Sequence, residues 1–308
     1  PLDILQNLLL LNKKTLSDVP TRCTLSLKRD STNISRFIKL DKWFMKLIGY
    51  YLAEGHARCI PGSYYHIGFA CSEMALKNEI EQCISHSFNI NYYSTNRDIT
   101  ISNRLLYEFF INFLSLGGNA SNKRISDLLS ALPKTKMKYL LQSYFSGDGS
   151  VEKGRLHVTC SSIHKNLLED IGFQLSRFGI FYRVKYEEKP AGGAVKKFYE
   201  DKGKRLSTFH LYYLSIRSTY ARLFYEFIGF SLKRKQVLLE NVLHKERKPR
   251  IKEFGDYILD PIKEISFVQS TSKYVYDLEV ENEHNFHLND SIVTNNCDGD
   301  EDGLMLLM

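Results

Sequence analysis

The chain has 308 residues, 43% hydrophobic and 25% charged, with a net charge of +7 and a pI of about 8.9. That balance describes a globular chain long enough for two domains, and no apolar run approaches the ~20 residues of a membrane-spanning helix. The six cysteines, Cys23, Cys59, Cys71, Cys83, Cys160 and Cys297, form no C-x-x-C pair and no zinc spacing. With no signal-peptide pattern either, the expected setting is reducing and cytoplasmic.

Residues 1–38 are polar and irregular after a short apolar start, and carry no motif. The chain begins at Pro1, not Met, which leads to the expectation of a fragment or a processed piece. From about Asp41 a two-fold repeat begins. An apolar helical stretch ends in Leu47-Ile-Gly-Tyr-Tyr-Leu-Ala-Glu54-Gly55. Strands are predicted over 56–60 and 64–71, separated by the turn signal Pro61-Gly62. A helix follows over 74–87, then strands over 90–94 and 98–102, then a helix over 105–114. After a linker that opens with Gly117-Gly118, a helix over 137–147 ends in Leu141-Gln-Ser-Tyr-Phe-Ser-Gly-Asp148-Gly149. The same order then recurs. Strands are predicted over 150–152 and 155–160, a helix over 163–178, strands over 181–186 and 209–216, and a helix over 219–230. Residues 187–204 read as a long hairpin loop. It lacks the Gly-Lys-Ser/Thr of a phosphate-binding loop, so nucleotide binding is rejected.

The two helix ends are the informative feature. Gly49 and Ala53 in one, and Ser143 and Gly147 in the other, are small residues four apart on one helix face, so two backbones can approach closely there. Each helix closes with an acid and a glycine. The glycine is expected to adopt the left-handed conformation that ends a helix. The carboxylate is left at the helix pole that disfavours negative charge. Two such acids held together call for a divalent cation. Basic residues crowd 233–252, with Lys233, Arg234 and Lys235 at its start, and also 196–205, as suits binding to phosphates.

The paired acid-glycine helix ends and their repeated surroundings resemble the LAGLIDADG homing endonucleases in the two-copy, single-chain form. The resemblance implies an α+β fold of two pseudo-symmetric αββαββα halves, whose antiparallel sheets form saddles that lie along a DNA major groove. It makes Glu54 and Asp148 the catalytic and metal-binding acids, with Mg²⁺ as cofactor. Lys153 and Lys204 are weaker candidates for stabilising transition-state charge. The implied partner is double-stranded DNA carrying a long asymmetric target, cut by a monomer.

The tail carries a second message. A strand at 274–280 is followed by His284-Asn285-Phe286-His287, a strand at 292–294, and Asn295-Asn296-Cys297. This resembles the C-terminal splicing motif of inteins. Asn296 then cyclises onto its own peptide carbonyl and Cys297 is the following nucleophile. The histidine that usually precedes the terminal Asn is replaced by Asn295, so His287 or a water is expected to assist. Residues 297–308, beginning Cys297-Asp298-Gly-Asp300, are similar to the acidic segment of D-family DNA polymerase large subunits, which would make them host sequence. No N-terminal splicing half is visible before Asp41, so that half is expected upstream or in trans, and the DNA target in the host polymerase gene. The domain reading is 1–38 remnant, 39–250 endonuclease with repeats at 41–116 and 134–232, 251–296 splicing segment and 297–308 host. Two alternatives use the same residues: a non-cleaving DNA- or RNA-binding protein of this fold, and a splicing element whose nuclease has decayed.

Overall fold

The computed structural model describes residues 24–26, 33–35, 37–88, 90–190, 203 and 208–248, and, towards the C-terminus, 252–254, 257–259, 264–267, 285–287 and 293–295. The chain divides into two compact units, Pro1–Glu246 and Arg247–Met308.

In the first unit, after a two-residue ladder between Thr24–Leu25 and Ile34–Ser35, helix α1 spans Lys42–Glu54. Asp41 caps it, its side chain accepting from the Trp43 and Phe44 backbone N–H groups at 2.9 and 3.1 Å. Strands β1 (Gly55–Ile60) and β2 (Tyr64–Ala70) form a hairpin, turned by Gly62 at φ +82°. Helix α2 (Met74–Phe88), strands β3 (Tyr93–Ser94) and β4 (Asp98–Ser102), and helix α3 (Arg104–Glu108) complete the repeat. Short helix α4 (Asp127–Ser130) lies in the linker. The second repeat runs α5 (Lys134–Asp148), β5 (Ser150–Val151), β6 (His157–Ser162), α6 (Lys165–Ser176), β7 (Arg183–Pro190), β8 (Thr208–Arg217) and α7 (Thr219–Phe227), and helix α8 (Lys233–Glu240) follows.

Each repeat builds a four-stranded antiparallel sheet, and the two orders are β1-β2-β4-β3 and β5-β6-β8-β7. This identity of topology is what the repeated pattern implied. Period-2 alternation divides each sheet into an apolar face and an outer face. Ile67, Phe69, Ile99 and Ile101 are buried in the first, and Val158, Cys160, Leu214 and Ile216 in the second. Helices cover these faces with large aromatic side chains. Tyr51 meets Phe110 edge-on at 5.2 Å between ring centroids, and Phe145 meets Phe224 at 4.8 Å. Fully burying each such ring contributes roughly 1.5–3 kcal/mol.

Four expectations change. The strand foreseen over 90–94 pairs only at Tyr93–Ser94, because Ile90 turns into the core. The helix over 105–114 is wound unevenly, with α3 passing into a π turn at Phe109–Phe113. Strand β7 runs on to Pro190, pairing with Thr208, so residues 187–190 belong to a ladder and not to a loop. Proline is tolerated there because β7 is an edge strand. Lys233–Glu240, within the basic run expected to suit phosphate binding, is a helix anchored by the buried Leu239 and Lys235.

In the second unit, Lys252–Phe254 pairs with Tyr257–Leu259, and Asn285–His287 pairs with Val293–Asn295. Asn296, Cys297, the residues of 297–308, Lys204, and most of 1–38 lie outside the described residues.

Candidate active site at the crossing of two helices

Helices α1 and α5 cross backbone to backbone. A Cβ on Gly49 would stand 2.1 Å from both the Leu140 carbonyl oxygen and Ser143 Oγ. A Cβ on Gly147 would stand 2.6 Å from the Ala53 methyl. Gly49 therefore meets Ser143, and Gly147 meets Ala53, in the reciprocal arrangement that a pseudo-two-fold axis requires. Both helices then end together. The same Gly147 position is 3.6 Å from Glu54 Oε1. The first acid thus lies against the residue immediately before the second.

The closing glycines do not take the left-handed conformation. Gly55 sits at φ −77°, ψ 158° and Gly149 at φ −79°, ψ 153°, both extended. Glycine is needed there for space. A Cβ would come within 2.4 Å of the Tyr51 carbonyl oxygen in one case and of the Phe145 carbonyl oxygen in the other. The chain leaves each helix directly into a strand, which carries the acid to the floor of a sheet.

Two lysines supply the caps that left-handed residues would have made. Lys123, 3% exposed, donates from Nζ to the carbonyl oxygens of Leu52 (3.0 Å) and Ala53 (3.2 Å). Lys235, 9% exposed, donates to those of Ser146 (2.6 Å) and Gly147 (2.7 Å), with the Phe145 carbonyl further off at 3.5 Å. Each ammonium sits at the negative pole of one helix, on the last carbonyls that lack an intrahelical partner. An ammonium has three donors; Lys123 commits two of them, and Lys235 has a carbonyl within hydrogen-bond distance for all three.

Burial, then the adjacent Glu54 charge, pushes the Asp148 carboxyl up to about 7, with Lys123 and Lys235 opposing. Burial raises Glu54 as well, again opposed by the two lysines. Burial lowers the Lys123 ammonium to about 8 against the pull of Asp148 and Glu54, and it lowers Lys235 too. A cavity of about 430 Å³ opens beside Glu54, lined also by Gly147, Lys235, Glu73 and Arg234.

Lys153 is exposed on the turn between β5 and β6. The cations that act on the acids are Lys123 and Lys235, one of them in the linker and the other inside a run that reads as surface charge. Their signal in the sequence is a rough parallel of spacing: each follows its acid by one repeat of helix, sheet and helix. His287 has a described backbone position in the second unit, opposite Val293.

Strand register also defines what flanks this floor. On the outer face of the first sheet stand His56, Arg58, His66, Tyr93 and Thr100, and on that of the second Thr159, Arg183, Lys185, Lys189, Tyr213 and Arg217. The second sheet is the more cationic: its outer face carries Arg183, Lys185, Lys189 and Arg217 against Glu187, where the first carries Arg58 against Asp98. Among the described residues no helix is long and apolar enough to cross a membrane.

Residues 135–229 match the LAGLIDADG-like domain. Across its whole length the chain is 32% identical to the DNA polymerase II large subunit of Thermococcus kodakarensis and 25% identical to that of Haloquadratum walsbyi. It spans only 17% and 14% of those two proteins. Among solved structures, the homing endonuclease I-DmoI in complex with DNA and Mn is 14% identical, with a TM-score of 0.42 over 62% of this chain and 97% of that one. I-WcaI bound to its DNA recognition sequence is likewise 14% identical, with a TM-score of 0.46 over 66% and 88%. Residues 135–229, the second repeat, thus match a LAGLIDADG-like domain, and the chain as a whole is similar to a part of DNA polymerase II large subunits.

Proposed function

We propose that residues 39–250 are a site-specific, double-strand DNA homing endonuclease, and that the chain is the later part of an intein interrupting a DNA polymerase large subunit. The observation that carries the nuclease reading is the doubled end of the crossing helices: two neighbouring carboxylates, each helix terminus capped by its own buried lysine. A binding-only protein has no need of two acids whose ionisation is opposed by burial and mutual repulsion.

The donor set suits a hard divalent cation, for which we favour Mg²⁺. Glu54 and Asp148 offer carboxylate oxygens. Among the described residues no group of three His, Cys, Asp or Glu gathers, so water and phosphate oxygens would complete the shell, as Mg²⁺ prefers. The cation would polarise the scissile phosphate and lower the pKa of a bound water. The chain's own contribution is positional. Glu54 and Asp148 orient water and cation, one beside each strand of the duplex. Lys123 keeps one N–H for a phosphate oxygen, and Lys235 adds its positive charge beside the second acid, which stabilises charge as it develops in the transition state. The cationic outer face of the second sheet attracts the backbone by releasing counterions.

The test uses a supercoiled plasmid bearing the uninterrupted polymerase coding sequence. The protein with Mg²⁺ should linearise it. Asp148→Asn should not, while retaining affinity for the duplex. Parallel loss of binding and cutting would assign Asp148 a folding role instead.

The splicing reading rests on a separate observation. Among the described residues, Asn285–His287 pairs antiparallel with Val293–Asn295. The sequence pattern ending Asn295-Asn296-Cys297 carries the cleavage step, and His287, on the strand paired with Val293–Asn295, is the candidate assisting group. A splicing partner, an N-terminal half, belongs to this proposal.

A further inference from the structure

The lysine beside the first acid is held by the other repeat. Lys123 lies in the linker, and its own carbonyl oxygen accepts a hydrogen bond from His164 Nδ1 at 2.9 Å. The next two residues converge on Asp170 of helix α6. Arg124 donates from Nε (2.6 Å) and Nη2 (2.8 Å) to its two oxygens, and the Ile125 backbone N–H donates at 2.9 Å. The Asp170 side chain is only 13% exposed. A bidentate arginine pair with a third, backbone donor leaves the carboxylate one orientation. On the first-repeat side the linker is tied further upstream, by Tyr51 O–H to the Gly117 carbonyl (2.7 Å) and by the Ala57 N–H to the Gly118 carbonyl (2.8 Å).

The second lysine has a weaker counterpart. Arg234, adjacent to Lys235, reaches back to Glu73 beside helix α2 of the first repeat, at 2.9 and 3.3 Å. That pair is more exposed, at 59% and 37%, and among the described residues no backbone N–H joins it. An exposed ion pair of this kind contributes little.

We propose that His164 and Asp170 are positioning residues for Lys123, so that the lysine serving the first repeat's acid is in register only when the second repeat is docked against the linker. The proposal rests on the endonuclease reading for its consequence in cleavage, though not for the clamp itself. A chain whose second repeat has not docked would present Glu54 without its lysine.

Two readouts separate the clamp from the nuclease. The first is acylation of the folded protein by a small N-hydroxysuccinimide ester, with Lys123 and Lys235 followed by peptide mass spectrometry. Asp170→Ala should raise labelling of Lys123 at least tenfold and leave Lys235 within twofold. His164→Ala should act in the same direction. Asp170→Asn, which keeps an acceptor for the Ile125 N–H, should fall between Asp170→Ala and the parent. Unchanged labelling of Lys123, or equal rises at both lysines, would overturn the proposal, the latter because it reports general loosening. The second readout is strand-resolved cleavage of the plasmid site. Asp170→Ala should slow one strand at least tenfold and spare the other, so that nicked circles accumulate. Equal slowing of both strands, or none, would remove the positioning role. If the parent protein cuts no DNA while the labelling behaves as expected, the clamp stands and the endonuclease reading falls.

Discussion

Gly49→Ala sets two physical effects against each other, and their sign tests the helix crossing directly. In an exposed helix, replacing Gly by Ala stabilises by about 1 kcal/mol, because the backbone loses less freedom on folding. Here the new methyl would fall 2.1 Å from the Leu140 carbonyl oxygen and from Ser143 Oγ. The serine can rotate only by giving up its bonds to the Tyr139 and Leu140 carbonyls, and the carbonyl oxygen belongs to the backbone of α5. The helices must therefore move apart. Overpacking of a tight core costs about 1–3 kcal/mol, and a backbone obstacle belongs at the upper end. The net loss is ~2 kcal/mol once the propensity gain is subtracted. For a domain of this size that lowers Tm by about 4–8 °C. Thermal unfolding followed by circular dichroism measures it, with Gly49→Ala/Ser143→Gly as a partial rescue, since only one of the two obstacles is removed. A Gly49→Ala protein as stable as the parent or more so would show that α1 and α5 do not touch at this point, and the shared site at their ends would lose its basis.

Stability of the metal-free protein should depend on pH in two limbs. Asp148 has its pKa raised to about 7 in the folded state, so its contribution is fully present below the unfolded value near ~3.9 and is lost as pH rises through 7. Lys123 is lowered to about 8, so the unfolded chain binds the extra proton between there and ~10.4, and stability recovers over that range. Tm measured from pH 5 to 10 should dip near pH 7–8, and Asp148→Asn should flatten the acid limb; a dip that survives the substitution would assign it elsewhere. Replacing Arg183 and Lys185 together by Ala should lower the slope of log affinity for duplex DNA against log salt by ~0.9 for each phosphate no longer neutralised, and an unchanged slope would mean this sheet face does not meet the backbone. At the other end of the chain, Asn296→Ala should stop release of a piece beginning at Cys297, and Asn295→His should speed it by up to roughly 10²–10⁴-fold if a positioned acid limits the step; mass spectrometry over hours decides, and equal release from parent and Asn296→Ala would mean ordinary proteolysis.

Much of this molecule is legible in its sequence. Local pattern alone determined the repeat, the order of helices and strands, and the small residues on the facing helix surfaces, because each depends on periodicities of 3.6 and 2 that adjacent residues record. The acids at the helix ends belong to the same class, being tied to an apolar run and a glycine. Tertiary structure decided what no local pattern holds. The reason Gly55 and Gly149 must be glycine is steric and lies in the turn behind them, not in their own dihedral angles. Lys123, in an ordinary linker, and Lys235, inside a run of basic residues, look like solvated charge until the chain folds their amines onto the carbonyl ends of helices some 70–90 positions earlier. Asp170 and His164 belong to no motif. They hold the linker that carries Lys123 to the first repeat's acid, and an interaction between residues distant in sequence leaves no periodic trace in either neighbourhood.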